Sequence, residues 1–231
     1  GAGNLAIGYS AMLRHTTGVR NIAIGYGAMD DTDAGSTSLG SEDNVFIGYN
    51  AGGGTWADAA SNYNVGIGNN VMDSALNGVE YTTAVGHGAL SAVTSGVNNS
   101  VFGTQAGTAI TTGAYNVAIG TQAMLTHTTG RNNIAIGSGV MDDTNAGSNS
   151  LDSDHNVFIG VDSGGGTWAD AKSEFNVAVG NYTLNGALNG AFYNTVIGYQ
   201  AGYSMTSGDY NTFMGGFAGQ NLTTGGNNVA I

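Results

Sequence analysis

The chain has 231 residues, 41 of them glycine, with no proline, no cysteine and a net charge of −12 from 16 carboxylates against four Lys and Arg. That balance excludes nucleic acid as a partner, because phosphate neutralisation needs clustered cations, and it argues against binding to an anionic membrane surface. Without cysteine there is no disulfide framework, and no apolar run approaches the ~20 residues of a membrane-spanning helix.

In chain order, a five-residue run of the form Asn-(Val/Ile/Thr)-Ala-(Ile/Val)-Gly recurs from end to end. It begins at Asn4, Asn21, Asn44, Asn64, Thr82, Asn99, Asn116, Asn133, Asn156, Asn176, Asn194, Asn211 and Asn228, with Thr82 the one departure from asparagine. The gaps are 17, 23, 20, 18, 17 and 17 residues, and then the same six again. Residues 4–115 and 116–227 are therefore two 112-residue super-repeats, identical at 63 positions, and residues 228–231 open a third. Repeats this short stack as coils, each burying its apolar face on its neighbours. A β-type run closed by glycine, a second short run and a turn such as "HTTG" or "VTSG" then predict one coil of a parallel β-solenoid per unit. The expected fold is all-β, about 13 coils of 17–23 residues in a six-coil super-repeat, with residues 1–231 a single solenoid. A chain that opens and closes inside the repeat is expected to continue beyond both ends, since an open solenoid exposes strand edges.

Side chains alternate across a strand. The row at Ile7, Ile24, Ile47, Ile67, Val85, Phe102 and their counterparts is uniformly large and apolar, which assigns it to the core. The row between, through Ala6, Phe46, Val101, Ala118, Phe158 and Phe213, then faces outward. It holds no polar residue, so it is expected to be covered by another chain in a homo-oligomer, a trimer or a filament, or by a second layer of the same coil. The leading asparagines, Asn4 to Asn228, form a structural column whose amides can pair up and down the stack, as in the Asn ladders of stacked sheets.

"NVAIGTQAMLTHTTGRNNIAIG" and "NIAIGYGAM" resemble the Asn-x-Ala-Ile-Gly head repeats of trimeric autotransporter adhesins, and equally the Ala-Ile-Gly repeats of bacteriophage tail fibres. The resemblance covers the whole chain. It implies a parallel β-roll, three chains side by side, and an extracellular, cell-surface or virion-surface location. The coils are longer than those of the adhesin heads, and the six-unit super-repeat is not part of that pattern.

No catalytic motif is present: no His-Glu-x-x-His, no Cys-x-x-Cys and no Walker loop. The neighbours Ser153, Asp154 and His155 cannot form a nucleophile–base–orienter triad from one short loop. The expectation is that the chain is not an enzyme and carries no cofactor. One metal reading stays open. Asp31-x-Asp33-x-Gly35 and Asp143-x-Asn145-x-Gly147 resemble the opening of a calcium loop, although the terminal bidentate Glu is missing and Asx turns explain the same letters. The pairs Thr94-Ser95, Thr111-Thr112 and Thr128-Thr129 suggest an ice-binding array, but the long units that follow would break it.

The octapeptide "GGGTWADA" stands at residues 52–59 and again at 164–171, and holds both tryptophans. It lies in the 20-residue unit that follows the 23-residue one, so the extra length is expected to leave the coil as side loops. Trp56 and Trp168 are then either anchors that fasten the loop near Asp31 and Asp143, or contacts for a glycan or receptor. The function that follows is a structural segment of a surface fibre, adhesin or tail fibre, with side loops for attachment. The competing reading is a subunit of a self-assembling extracellular filament or sheath with no specific receptor.

Overall fold

The computed structural model describes residues 1–32, 40–144 and 152–231. Among these the chain is all-β, a parallel β-solenoid of about twelve turns with thirteen short strands and no α-helix. It divides into two compact units, Gly1–Ala114 and Tyr115–Ile231. The first holds β1 (Leu5–Ile7), β2 (Ile22–Ile24), β3 (Val45–Ile47), β4 (Val65–Ile67), β5 (Thr83–Val85) and β6 (Ser100–Phe102). The second holds β7 (Val117–Ile119), β8 (Ile134–Ile136), β9 (Val157–Ile159), β10 (Val177–Val179), β11 (Thr195–Ile197), β12 (Thr212–Met214) and β13 (Val229–Ala230). Within each unit consecutive strands pair in parallel and in register, as in Ala23↔Phe46 and Ala135↔Phe158.

The glycine that closes each strand is required by close approach. At these positions φ lies between 132° and 147°. A Cβ on Gly25 would stand 2.1 Å from the carbonyl oxygen of Gly48 on the next coil, so no larger residue fits there.

The assignment of faces from the sequence is reversed by the structure. Ala23, Phe46, Ala84 and Val101 in the first unit, and Ala118, Ala135, Phe158, Ala178, Val196 and Phe213 in the second, are buried inside the coil. The large row points outward: Ile7, Ile67, Phe102, Ile119, Ile197 and Met214 are all exposed. The physical reason is the parity set by the asparagines. The leading asparagines from Asn21 to Asn211 are buried, and alternation places the residue two positions on beside each of them. The interior is also thin, and it admits only small side chains at most levels.

How that interior fills is regular. The residue six positions after each inward one has φ between 45° and 63° and closes the far side of the coil. Size is complementary across the pair. Small Ala23, Gly66, Ala84, Ala118, Ala135 and Ala178 pair with Met29, Met72, Leu90, Met124, Met141 and Leu184. Large Phe46, Val101, Phe158, Val196 and Phe213 pair with Gly52, Gly107, Gly164, Gly202 and Gly219. A Cβ on Gly164 would lie 2.7 Å from the Phe158 ring, and one on Gly219 would lie 2.6 Å from Phe213. Close packing of this kind leaves room for one bulky group per level.

Candidate functional site

The asparagine column runs through each unit as a buried chain of hydrogen bonds. In the first, the Oδ1 of Asn21 accepts the backbone N–H of Asn44 and its side-chain amide, both at 3.0 Å. Asn44 Nδ2 also donates to Ser61 O at 2.8 Å, and Asn64 donates in the same way to Val79 O at 2.7 Å. In the second, Asn133, Asn156, Asn176, Asn194, Asn211 and Asn228 each donate their backbone N–H to the Oδ1 of the asparagine before, at 2.9–3.2 Å. A buried amide is thereby satisfied as donor and acceptor at once, which is what makes a polar group inexpensive in a core. A shorter second column, Ser41 to Ser61 and Ser153 to Ser173, caps backbone N–H groups beside it.

Thr82 interrupts the first column. Its Oγ1 accepts the Asn99 N–H at 3.4 Å, and it has no amide to send onward. The equivalent residue of the second unit, Asn194, bonds Asn176 Oδ1 at 2.9 Å and Gly208 O at 2.8 Å. Replacing Thr82 with Asn is expected to add these bonds and stabilise the first unit by about 1 kcal/mol, read as a higher urea midpoint with unchanged slope.

Both tryptophans are fully buried inside their coils. Trp56 Nε1 donates to Gly52 O at 2.9 Å and its ring meets the Phe46 ring at 67°, with centroids 5.9 Å apart. Trp168 repeats this with Gly164 O at 2.8 Å and Phe158 at 5.7 Å. The backbone N–H groups of Trp56 and Trp168 donate to Asp31 O and Asp143 O, each at 2.9 Å, and Thr55 and Thr167 donate to the carboxylates of the same aspartates. The octapeptide is therefore tied to the preceding coil, and its extra length widens the coil to admit an indole. The glycines serve close approach as well: a Cβ on Gly54 would stand 2.2 Å from Ser74 O.

Of the calcium-like loops, Asp33, Gly35, Asn145 and Gly147 lie outside the described residues. Asp31 has both carboxylate oxygens engaged, by Arg14 at 3.1 Å and Thr55 at 2.6 Å. Among the described residues no group of three or more His, Asp or Glu side chains is arranged to hold a metal, and no pocket is found. Thr94 Oγ1 donates to Thr111 O at 3.2 Å, so that hydroxyl is used between coils.

The outward strand face is what the coils expose to the surroundings. Its aliphatic rows, such as Val117 with Ile119, Ile134 with Ile136 and Val157 with Ile159, are half-exposed or exposed. Beside the strands run ladders of exposed aromatic rings. In the first unit Tyr9, Tyr26 and Tyr49 stack at 5.3 and 5.5 Å, and Tyr63 stacks on Tyr81 at 5.0 Å. In the second His155, Phe175, Tyr193 and Tyr210 stack at 5.0, 5.0 and 5.1 Å. Rings stacked in this way cover one another's faces and turn their edges outward. No family model, curated protein or solved structure matches the chain.

The sequence reading located the asparagine column but neither the serine column nor these ladders. The signal for the ladders was present, because Tyr63, Tyr81, Tyr115, Phe175, Tyr193 and Tyr210 each precede the leading Asn or Thr of a unit, and Tyr9, Tyr26 and Tyr49 each follow the glycine that closes a strand. The charges on the coil surface include ion pairs. Arg20 forks onto Asp43 at 2.6 Å for both contacts and reaches Glu42 at 2.8 Å. That hydrogen-bonded pairing holds the Asp43 carboxyl below its usual range. Such an exposed ion pair orders the surface and adds little stability.

Proposed function

We propose that the chain is a structural segment of an extracellular or virion-surface fibre, of the adhesin or tail-fibre kind, which assembles with copies of itself through its outward strand face. The observation that carries the proposal is the run of exposed aliphatic side chains on a rigid parallel sheet. A contiguous apolar surface of this kind is the mark of an association site, and three chains side by side would cover it. In this reading the protein is not an enzyme. Its columns hold the coils of each unit in register, and attachment to a cell-surface glycan or receptor is left to exposed edges and loops.

Light scattering of the purified chain at micromolar concentration is expected to give a stable oligomer. A folded monomer under those conditions would overturn the reading. Replacing Ile119 and Ile136 together with Lys puts two charges on the face without touching the interior, so it should release folded monomers. The alternative, a filament or sheath that binds no receptor, uses the same face and is separated by mass: it grows without limit, where a trimer stops.

A further inference from the structure

Six residues before the leading Asn or Thr, Leu76, Val93, Ile110, Leu188 and Met205 form a second buried row. The 20-residue units have Asp58 and Asp170 at that position. Two 17-residue units have His15 and His127, from the two "HTTG" turns, and each stands directly before the 23-residue unit. His127 is fully buried. Asn133 Nδ2 lies 3.2 Å from its Nε2, and Thr144 Oγ1 lies 3.3 Å from its Nδ1. In the first unit Asn21 Nδ2 and Thr32 Oγ1 hold His15 at 3.1 and 2.9 Å. An amide nitrogen only donates, so Nε2 must be the acceptor and the ring neutral, with Nδ1–H donating to threonine.

Asn133 Nδ2 also donates to Ser153 O at 2.9 Å, and Asn21 Nδ2 to Ser41 O at 2.9 Å. Each histidine thus joins the asparagine column to the threonine early in the long coil, Thr32 or Thr144, and the same asparagine amide holds the serine later in it, Ser41 or Ser153. We infer that His15 and His127 are proton-sensitive latches, which hold the root of each long coil to the column while neutral and release it when protonated. A proton on Nε2 would face the donor amide of Asn133 and turn an attraction into a repulsion.

The electrostatics agree with the geometry. Burial pushes the His127 pKa down from 6.5 to about 4, with the Gly130 backbone and the Asp152 charge acting in the opposite direction. His15 is lowered in the same sense, by burial first. The charged groups on the elements around His127 are Arg131 on its own turn, Asp142 and Asp143 on the next coil, and Asp152, which pairs with Lys172. Around His15 they are the Gly1 ammonium, Arg14, Arg20, Asp30 and Asp31. The opened coil takes up a proton at ordinary histidine pH, whereas the closed coil resists until about pH 4. The latch is therefore intact above pH 6.5 and weakens as pH falls toward 4, about tenfold in the opening constant per pH unit.

Global stability is a poor readout, because Asp142 works the other way. Burial, with Asp162 and Asp143 adding to it, raises its pKa to about 6, so acid relieves its charge over the same range. The test is local. Amide hydrogen exchange in residues 127–133 and 153–156, corrected for intrinsic rates, should lose protection between pH 6.5 and 4.5 by roughly 40-fold. His127→Met copies the coil in which Asn211 Nδ2 meets Met205 Sδ at 3.6 Å, and should flatten that dependence. Equal pH dependence in the variant and the wild type would overturn the inference. If the variant does not fold, the NMR titration of the His127 ring decides: a folded-state midpoint near 6.5 would refute the latch, and one near 4 would support it.

Discussion

Replacing Ala118 with aspartate is expected to unfold its coil. Ala118 lies within β7, is fully buried and pairs in register with Ala135. The level across the coil is filled by Met124, so a carboxylate has neither space nor a partner. An unpaired buried charge costs several kcal/mol even after it takes up a proton. Stacked coils share stability with their neighbours, so the loss spreads along the second unit. Denaturation followed by circular dichroism should show a transition displaced to much lower urea, or absent. The companion variant is Ile119→Asp, one residue along and pointing outward. It should keep the fold and weaken only association. If Ala118→Asp keeps the wild-type midpoint, the inward assignment of this row is wrong.

Truncating Trp168 to alanine is the second large effect. The indole is buried against Phe158 and donates to Gly164 O. Its removal leaves a cavity that the widened coil cannot close, because Gly164, Gly165 and Gly166 offer no side chain to refill it. A loss of about 3–5 kcal/mol is expected for the coils carrying β9 and β10. The variant retains Trp56 as its single tryptophan, so fluorescence then reports on the first unit alone. That signal should keep the emission of a buried indole while circular dichroism detects the weakened second unit. An unchanged urea midpoint would mean that the tryptophan fastens nothing.

Much of this architecture is legible in the residues. The recurrence of asparagine locates every strand but β5, which Thr82 leads, and the unequal gaps show where coils must be longer. What spacing cannot supply is the absolute direction of a face. Alternation relates Ala118 to Asn116 and Ile119 to Val117, but either pair could face inward. The larger residues suggest the core by habit, and here the habit fails because the coil is too thin for isoleucine at every level. The decisive clue was the asparagine. An amide that must bond its neighbours on both sides is best buried, and that burial carries Ala118 inward with it. The tryptophans are fastened beside Asp31 and Asp143 as expected, but the side loops expected there misled for a related reason. Extra length beside a glycine triplet reads as a loop leaving the coil, yet the same glycines serve equally to let an aromatic ring in.

The small-for-large pairing across the coil also bears on how such a chain changes over generations. The two super-repeats differ at three of these pairs. Gly66 with Met72 becomes Ala178 with Leu184, Ala84 with Leu90 becomes Val196 with Gly202, and Val101 with Gly107 becomes Phe213 with Gly219. In none do two bulky residues meet. At two of the three pairs both partners differ, and at the third the glycine stays while valine and phenylalanine exchange, so a bulky residue moves to the other side of the coil only in coupled steps. Duplicating a whole block avoids those steps, because every pair is copied complete. Lengthening by duplication is thus an easier route for this lineage than re-tailoring a coil in place.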